Sequence, residues 1–81
     1  MDLNERGEAA LAKGRHSEAL GWFDQAIAKD AHDFLLYVNR AETHLTTGHY
    51  QQALDDANKT IELRPDWVKV YSKLLFPPPS L

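Results

Sequence analysis

The chain has 81 residues, a net charge of -3, 43% apolar and 26% charged residues, and no cysteine. It reads as one small soluble globular domain, with neither the composition of a disordered chain nor that of a membrane protein. No apolar run approaches the roughly 18–20 residues of a bilayer span, no secretion signal is expected at Met1-Asp2-Leu3-Asn4-Glu5, and no basic patch offers itself to nucleic acid or an anionic membrane.

A first helix is expected near residues 2–13, where Leu3, Gly7, Ala10 and Leu11 share a face and Asp2 with Glu5 resembles a capping box. Lys13-Gly14-Arg15 closes it, because glycine takes the left-handed conformation at little steric cost. A second helix near 17–29 gathers Leu20, Phe23, Ala26 and Ile27. Asp33 can accept hydrogen bonds from the free amides of a third helix near 33–46, which Thr47-Gly48-His49 ends. A fourth helix follows near 50–63, and Asp66 opens a fifth near 66–76 that Pro77-Pro78-Pro79 stop.

Laid over itself at an offset of 34 residues, the chain matches Arg6 to Arg40, Leu11 to Leu45, Gly14 to Gly48, Ala19 to Ala53, Leu20 to Leu54, Ile27 to Ile61 and Tyr37 to Tyr71. His16 with Tyr50 is a looser pair. Such a period marks a helix-turn-helix solenoid, in which each unit buries its apolar side by stacking on the next. The expected organisation is repeat 1 at about 1–33, repeat 2 at about 34–67, a capping helix at about 67–76 and a proline-rich tail at 77–81.

The large and small residues at these places, Leu3, Gly7, Ala10, Ala19, Phe23 and Ala26, then Tyr37, Ala41, Ala53 and Pro65, resemble the tetratricopeptide family. The likeness covers nearly the whole chain and implies an all-α, right-handed solenoid of helical hairpins, two repeats plus a third leading helix as cap. Three positions depart from the pattern: Ala31 stands for the usual closing proline, Ala57 for a large aromatic residue and Thr60 for the last alanine.

In such a solenoid the first helix of each hairpin lines the concave side. With Leu36, Tyr37, Arg40, Ala41 and His44 on the packed face, helical periodicity puts Leu35, Val38, Asn39, Glu42, Leu45 and Thr46 on the open stripe. The matching places are Asn4, Glu5, Glu8, Leu11 and Ala12 one repeat earlier, and Lys69, Ser72, Lys73 and Phe76 one repeat later. Tyr37-Val38-Asn39-Arg40 and Arg64-Pro65-Asp66-Trp67-Val68-Lys69-Val70-Tyr71-Ser72-Lys73 are similar to the branch of the family whose members clamp the C-terminal carboxylates of heat-shock chaperones. The resemblance implies that Asn39, Lys69 and Lys73 grip an acidic tail through charge-assisted hydrogen bonds. It fails in the first unit, where Asn4 stands for a lysine and Glu8 for an asparagine, so that a carboxylate faces an incoming carboxylate. A peptide with basic residues toward Glu5, Glu8 and Glu42 would suit that end of the groove better.

The expected function is therefore that of an adaptor, with Asn39, Lys69 and Lys73 as polar anchors, Leu35, Val38 and Leu45 as apolar contacts, and Glu42 and Glu8 at the acidic end. Its partner is a protein or peptide, and the lack of cysteine agrees with a reducing, cytoplasmic setting. The alternative is a truncated or structural repeat fragment that self-associates as a homodimer through Tyr71, Leu74 and Leu75, the apolar stripe a following helix would cover. His16, His32, His44 and His49 show no spacing of three or four on one helix face, so no metal is expected. No phosphate loop or nucleophile turn is found, so neither an enzyme nor a cofactor is expected, and Asp55-Asp56 reads as the polar side of a helix. The tail Phe76-Pro77-Pro78-Pro79-Ser80-Leu81 resembles ligands of proline-recognising domains but reads as a frayed extended end.

Overall fold

The computed structural model describes residues 2–66. These residues form four helices and no strand: α1 (Leu3–Ala12), α2 (His16–Lys29), α3 (Phe34–Thr46) and α4 (Tyr50–Leu63). Their limits fall within a residue or two of those expected, and the fifth helix expected from the sequence lies outside the described residues. Helix α1 packs chiefly on α2, and α3 on α4, giving two hairpins. Contacts of α3 with α2, and a smaller set with α1, stack the second hairpin on the first.

Local chemistry sets the limits of the helices. The Asp2 carboxylate accepts the Glu5 amide at 2.7 Å and Asp33 accepts that of Leu35 at 3.1 Å, so two orphan donors at helix starts are satisfied. Both hairpin turns use the same device. Gly14 and Gly48 stand at φ of 75° and 83°, and the next amides, Arg15 and His49, donate back to Ala10 and His44, each at 2.8 Å. This is the Schellman closure, in which a left-handed residue turns the chain while the last helical carbonyls stay paired. Between the hairpins the Tyr37 hydroxyl donates to the Ala31 carbonyl at 2.9 Å, tying down the place where the family's closing proline is missing.

The core follows the large-small pattern. Phe23, Ala19 and Ala10 form a buried cluster, with Leu11 and Trp22 packed against it. A Cβ added at Gly7 would lie 2.4 Å from Cε1 of Phe23, so only glycine lets the ring come this close to α1. In the second hairpin Leu36, Tyr37, Val38, Ala41, Ala53 and Ala57 are buried, together with Thr43 and Thr60. Both threonine hydroxyls donate to carbonyls one turn back, Asn39 and Asp56, so neither is left unpaired in the core.

Two expectations are corrected here. Val38 belongs to the core at 8% exposure and not to the open stripe. A two-faced reading misplaces it because α3 is flanked by α1, α2 and α4, and so buries more than one face. Asp56 is likewise no surface residue: it is 5% exposed.

Candidate functional site

The stripe expected to hold a peptide lies on α1 and α3, the leading helices of the two hairpins, which touch one another. A hydrogen-bonded chain crosses it: the Asn39 side-chain amide donates to Oδ1 of Asn4 at 2.8 Å, and the Asn4 amide reaches Oε1 of Glu8 at 3.5 Å. Asn39 thus bridges the two repeats, with one of its two amide protons committed to Asn4. Around this chain, Leu35 is 44% exposed, Glu8 is exposed, and Glu42 and Leu45 are half-buried. The stripe from Asn4 to Ala12 and from Leu35 to Thr46 therefore presents the carboxylates of Glu5, Glu8 and Glu42, with no lysine or arginine at its stripe positions. Lys69 and Lys73, expected to complete the grip, and Tyr71, Leu74 and Leu75, expected to self-associate, lie outside the described residues.

Behind the groove stands a network that sequence reasoning missed. Arg40 forms a two-pronged pair with Asp56, Nε to Oδ2 at 2.8 Å and Nη2 to Oδ1 at 2.7 Å, and its Nη1 reaches Oδ1 of Asp24 at 2.8 Å. One guanidinium on α3 thereby fastens its own hairpin partner α4 and the preceding hairpin's α2. The hydrogen bonds to Asp56 dominate the upward shift of the Arg40 pKa, so the group stays charged despite its burial. The repeat alignment held a signal: Asp56 stands 34 residues after Trp22, a position that packs against the core in the first hairpin.

His44 lies beside this network, with Nε2 3.9 Å from Asp56 Oδ2 and Nδ1 3.5 Å from Nδ1 of His49, whose ring meets it edge-on. Burial pushes the His44 pKa down, against the opposing pull of Asp56. Two histidines five residues apart are thus brought together by the Gly48 turn, a pairing that helical spacing does not reveal. Among the described residues no group of three or more histidines and carboxylates gathers in a way that could hold a metal. None of the described helices is long and apolar enough to cross a membrane.

Paired helices closed by a left-handed glycine, repeated after 34 residues and stacked through small side chains, define the tetratricopeptide class of helical repeat. No family model matches the chain. Comparison with known proteins places it more narrowly. It is 46% identical over 73 residues to the Hsp70-Hsp90 organizing protein of Triticum aestivum, covering 90% of this chain and 13% of that protein. It is 39% identical over 72 residues to the heat shock protein sti1 homolog of Schizosaccharomyces pombe, covering 89% and 12%. A third relative, the tetratricopeptide repeat and J domain-containing co-chaperone DNJ1 of Fusarium oxysporum, is 33% identical over 73 residues, covering 90% and 14%. The chain is thus a relative of tetratricopeptide-repeat co-chaperones over about nine-tenths of its length, and spans 12–14% of the length of these three curated proteins.

Proposed function

We propose that this chain is a protein-interaction adaptor that holds an extended segment of a heat-shock chaperone along the stripe formed by α1 and α3. The observation that carries the reading is the two leading helices held side by side by Asn39 and Asn4, with Leu35, Glu8, Glu42 and Leu45 at least partly open to solvent. The names of the relatives, organizers of Hsp70 and Hsp90, point to chaperones as the partner class. Binding needs no chemistry from the chain itself: apolar contact at Leu35 and Leu45, and hydrogen bonds at the remaining amide proton of Asn39, supply affinity and register.

An acidic C-terminal tail is the occupant to test first, with Asn39, Lys69 and Lys73 as its anchors. The Glu8 carboxylate opposes it, since like charges across a binding site can cost several kcal/mol. The test is a calorimetric titration with a peptide ending in Glu-Glu-Val-Asp, terminus free or amidated, against the native chain and Lys69→Ala. The proposal expects the free terminus to bind more tightly and Lys69→Ala to remove that preference. Equal weak binding in all four combinations would exclude the tail.

A further inference from the structure

The turn between α3 and α4 brings two imidazoles face to face. His44 lies in the last turn of α3, His49 is the residue before α4, and the left-handed Gly48 between them folds the chain back. Their Nδ1 atoms stand 3.5 Å apart, while the ring centres are 5.5 Å apart, so these nitrogens lie on the facing sides of the two rings. Two imidazoles that hold one tetrahedral zinc at about 2.0–2.1 Å keep their nitrogens about 3.3–3.4 Å apart. The gap in this turn is within a few tenths of an ångström of that value, and four residues between two histidines is a separation that zinc sites use.

The polar neighbours set the tautomers. Nε2 of His44 lies 3.9 Å from Oδ2 of Asp56, which favours the proton on that nitrogen and leaves the Nδ1 lone pair facing His49. The Thr47 hydroxyl donates to the carbonyls of Thr43 and His44 at 3.0 and 3.1 Å, so toward Nδ1 of His49, at 2.9 Å, it presents a lone pair. In the free chain His49 therefore carries its proton on Nδ1, where one N–H serves both Thr47 and His44. His49 is exposed, so this proton can move to Nε2, in water, and both Nδ1 atoms then become ligands. The surrounding charge favours a cation. A hollow of about 230 Å³ beside His44 is lined by Arg40, Gln52, Asp55 and Asp56, and Arg40 also pairs with Asp24, which sets one guanidinium against three carboxylates.

From this we infer that His44 and His49 form a two-histidine site for an imidazole-preferring divalent ion such as zinc, bound through both Nδ1 atoms with water at its other positions. Two protein ligands make this an exchangeable site, unlike the closed four-ligand kind that organises a fold. Magnesium and calcium, which take oxygen ligands, do not suit it. The two ligands flank the Gly48 turn, so a bound ion staples the end of α3 to the start of α4 and stabilises the second hairpin.

The experiment titrates zinc into the full chain and follows the ring protons of His16, His32, His44 and His49 by nuclear magnetic resonance. Saturation should fall at one zinc per chain, with the ring signals of His44 and His49 shifted and those of His16 and His32 unmoved. His44→Gln and His49→Gln should each weaken binding at least about tenfold, the scale on which metal sites respond even to loss of a supporting group, whereas His32→Gln should leave it unchanged. His49 is an exposed turn residue, so its variant tests the site without disturbing the core. Zinc should also raise the Tm of the native chain and not that of His49→Gln, and magnesium at the same concentration should raise neither. No binding at millimolar zinc, shifts centred on His16 or His32, binding that survives His49→Gln, or half a zinc per chain with two chains joined would each overturn the assignment.

Discussion

In the first hairpin Gly7 lets the ring of Phe23 lie against the backbone of α1, and Arg6 stacks over Trp22 with its guanidinium 5.1 Å from the ring centre. At the matching places of the second hairpin stand Ala41 and Ala57, both fully buried, and Arg40 with Asp56. The ring that fills the first unit is gone from the second, and a buried ion pair occupies the place of the stacked indole. Two units with the same backbone plan thus depend on different physics. The first should be sensitive to volume, the second to charge.

The largest expected effect falls on volume. Phe23→Ala removes a fully buried ring and should destabilise the chain by about 3–5 kcal/mol, comparable to the whole stability of a domain this small, so urea unfolding should show little folded protein. Gly7→Ala should cost about 2–3 kcal/mol by overpacking against the same ring. The comparison sharpens in the double variant Gly7→Ala/Phe23→Ala, which reproduces the pairing of Ala41 with Ala57. The added methyl enters space the ring has left, so the double variant should be no less stable than Phe23→Ala alone. Additive losses would break the volume argument.

Charge comes next. Arg40→Met leaves the carboxylate of Asp56 buried without its two-pronged partner and should cost about 3 kcal/mol. Arg40→Met with Asp56→Leu should recover most of that loss in the same unfolding measurement, because the penalty lies in the unpaired charge. The matching change in the first hairpin, Arg6→Met, removes a cation stacked at the surface and should cost less than about 1 kcal/mol. Equal costs at the two arginines would contradict the contrast drawn between the hairpins.

The smallest effect is a pH dependence carried by His44. His44 sits among Asp56, Arg40, His49 and Asp24, and burial holds its pKa below the ordinary 6.5. As the pH falls below 6.5 the unfolded chain takes up a proton that folded His44 refuses, so stability declines until the lowered folded pKa is passed. His44→Gln should therefore flatten part of the fall in Tm between pH 7.5 and pH 5.5. An unchanged slope would show that His44 contributes nothing to it.

Much of this architecture is written in local and periodic signals. Gly14 and Gly48 announce their turns because only a left-handed residue closes both, and Asp2 and Asp33 announce helix starts because free amides need an acceptor. The 34-residue register located both hairpins. What stayed hidden depends on contacts between elements. Asp56 looks like a surface acid until Arg40, 16 residues earlier on another helix, is brought to it. Val38 looks open on a helical wheel until α3 is flanked by three neighbours. Asn39 is expected on the open stripe of α3, but its bond to Asn4, 35 residues away, has no signal in the sequence. Of the expected anchors, Lys69 and Lys73 remain as the sequence presents them.

The measurement that bears most directly on the adaptor reading is the location of a bound ligand. With the labelled chain and a chaperone-type tail peptide, shifted amides should cluster on α1 and α3, around Glu8, Leu35, Asn39 and Glu42, and Asn39→Ala should weaken binding about tenfold, the scale of one lost charge-assisted hydrogen bond. Shifts confined to the outer faces of α2 and α4, with Asn39→Ala binding as well as the native chain, would contradict the account.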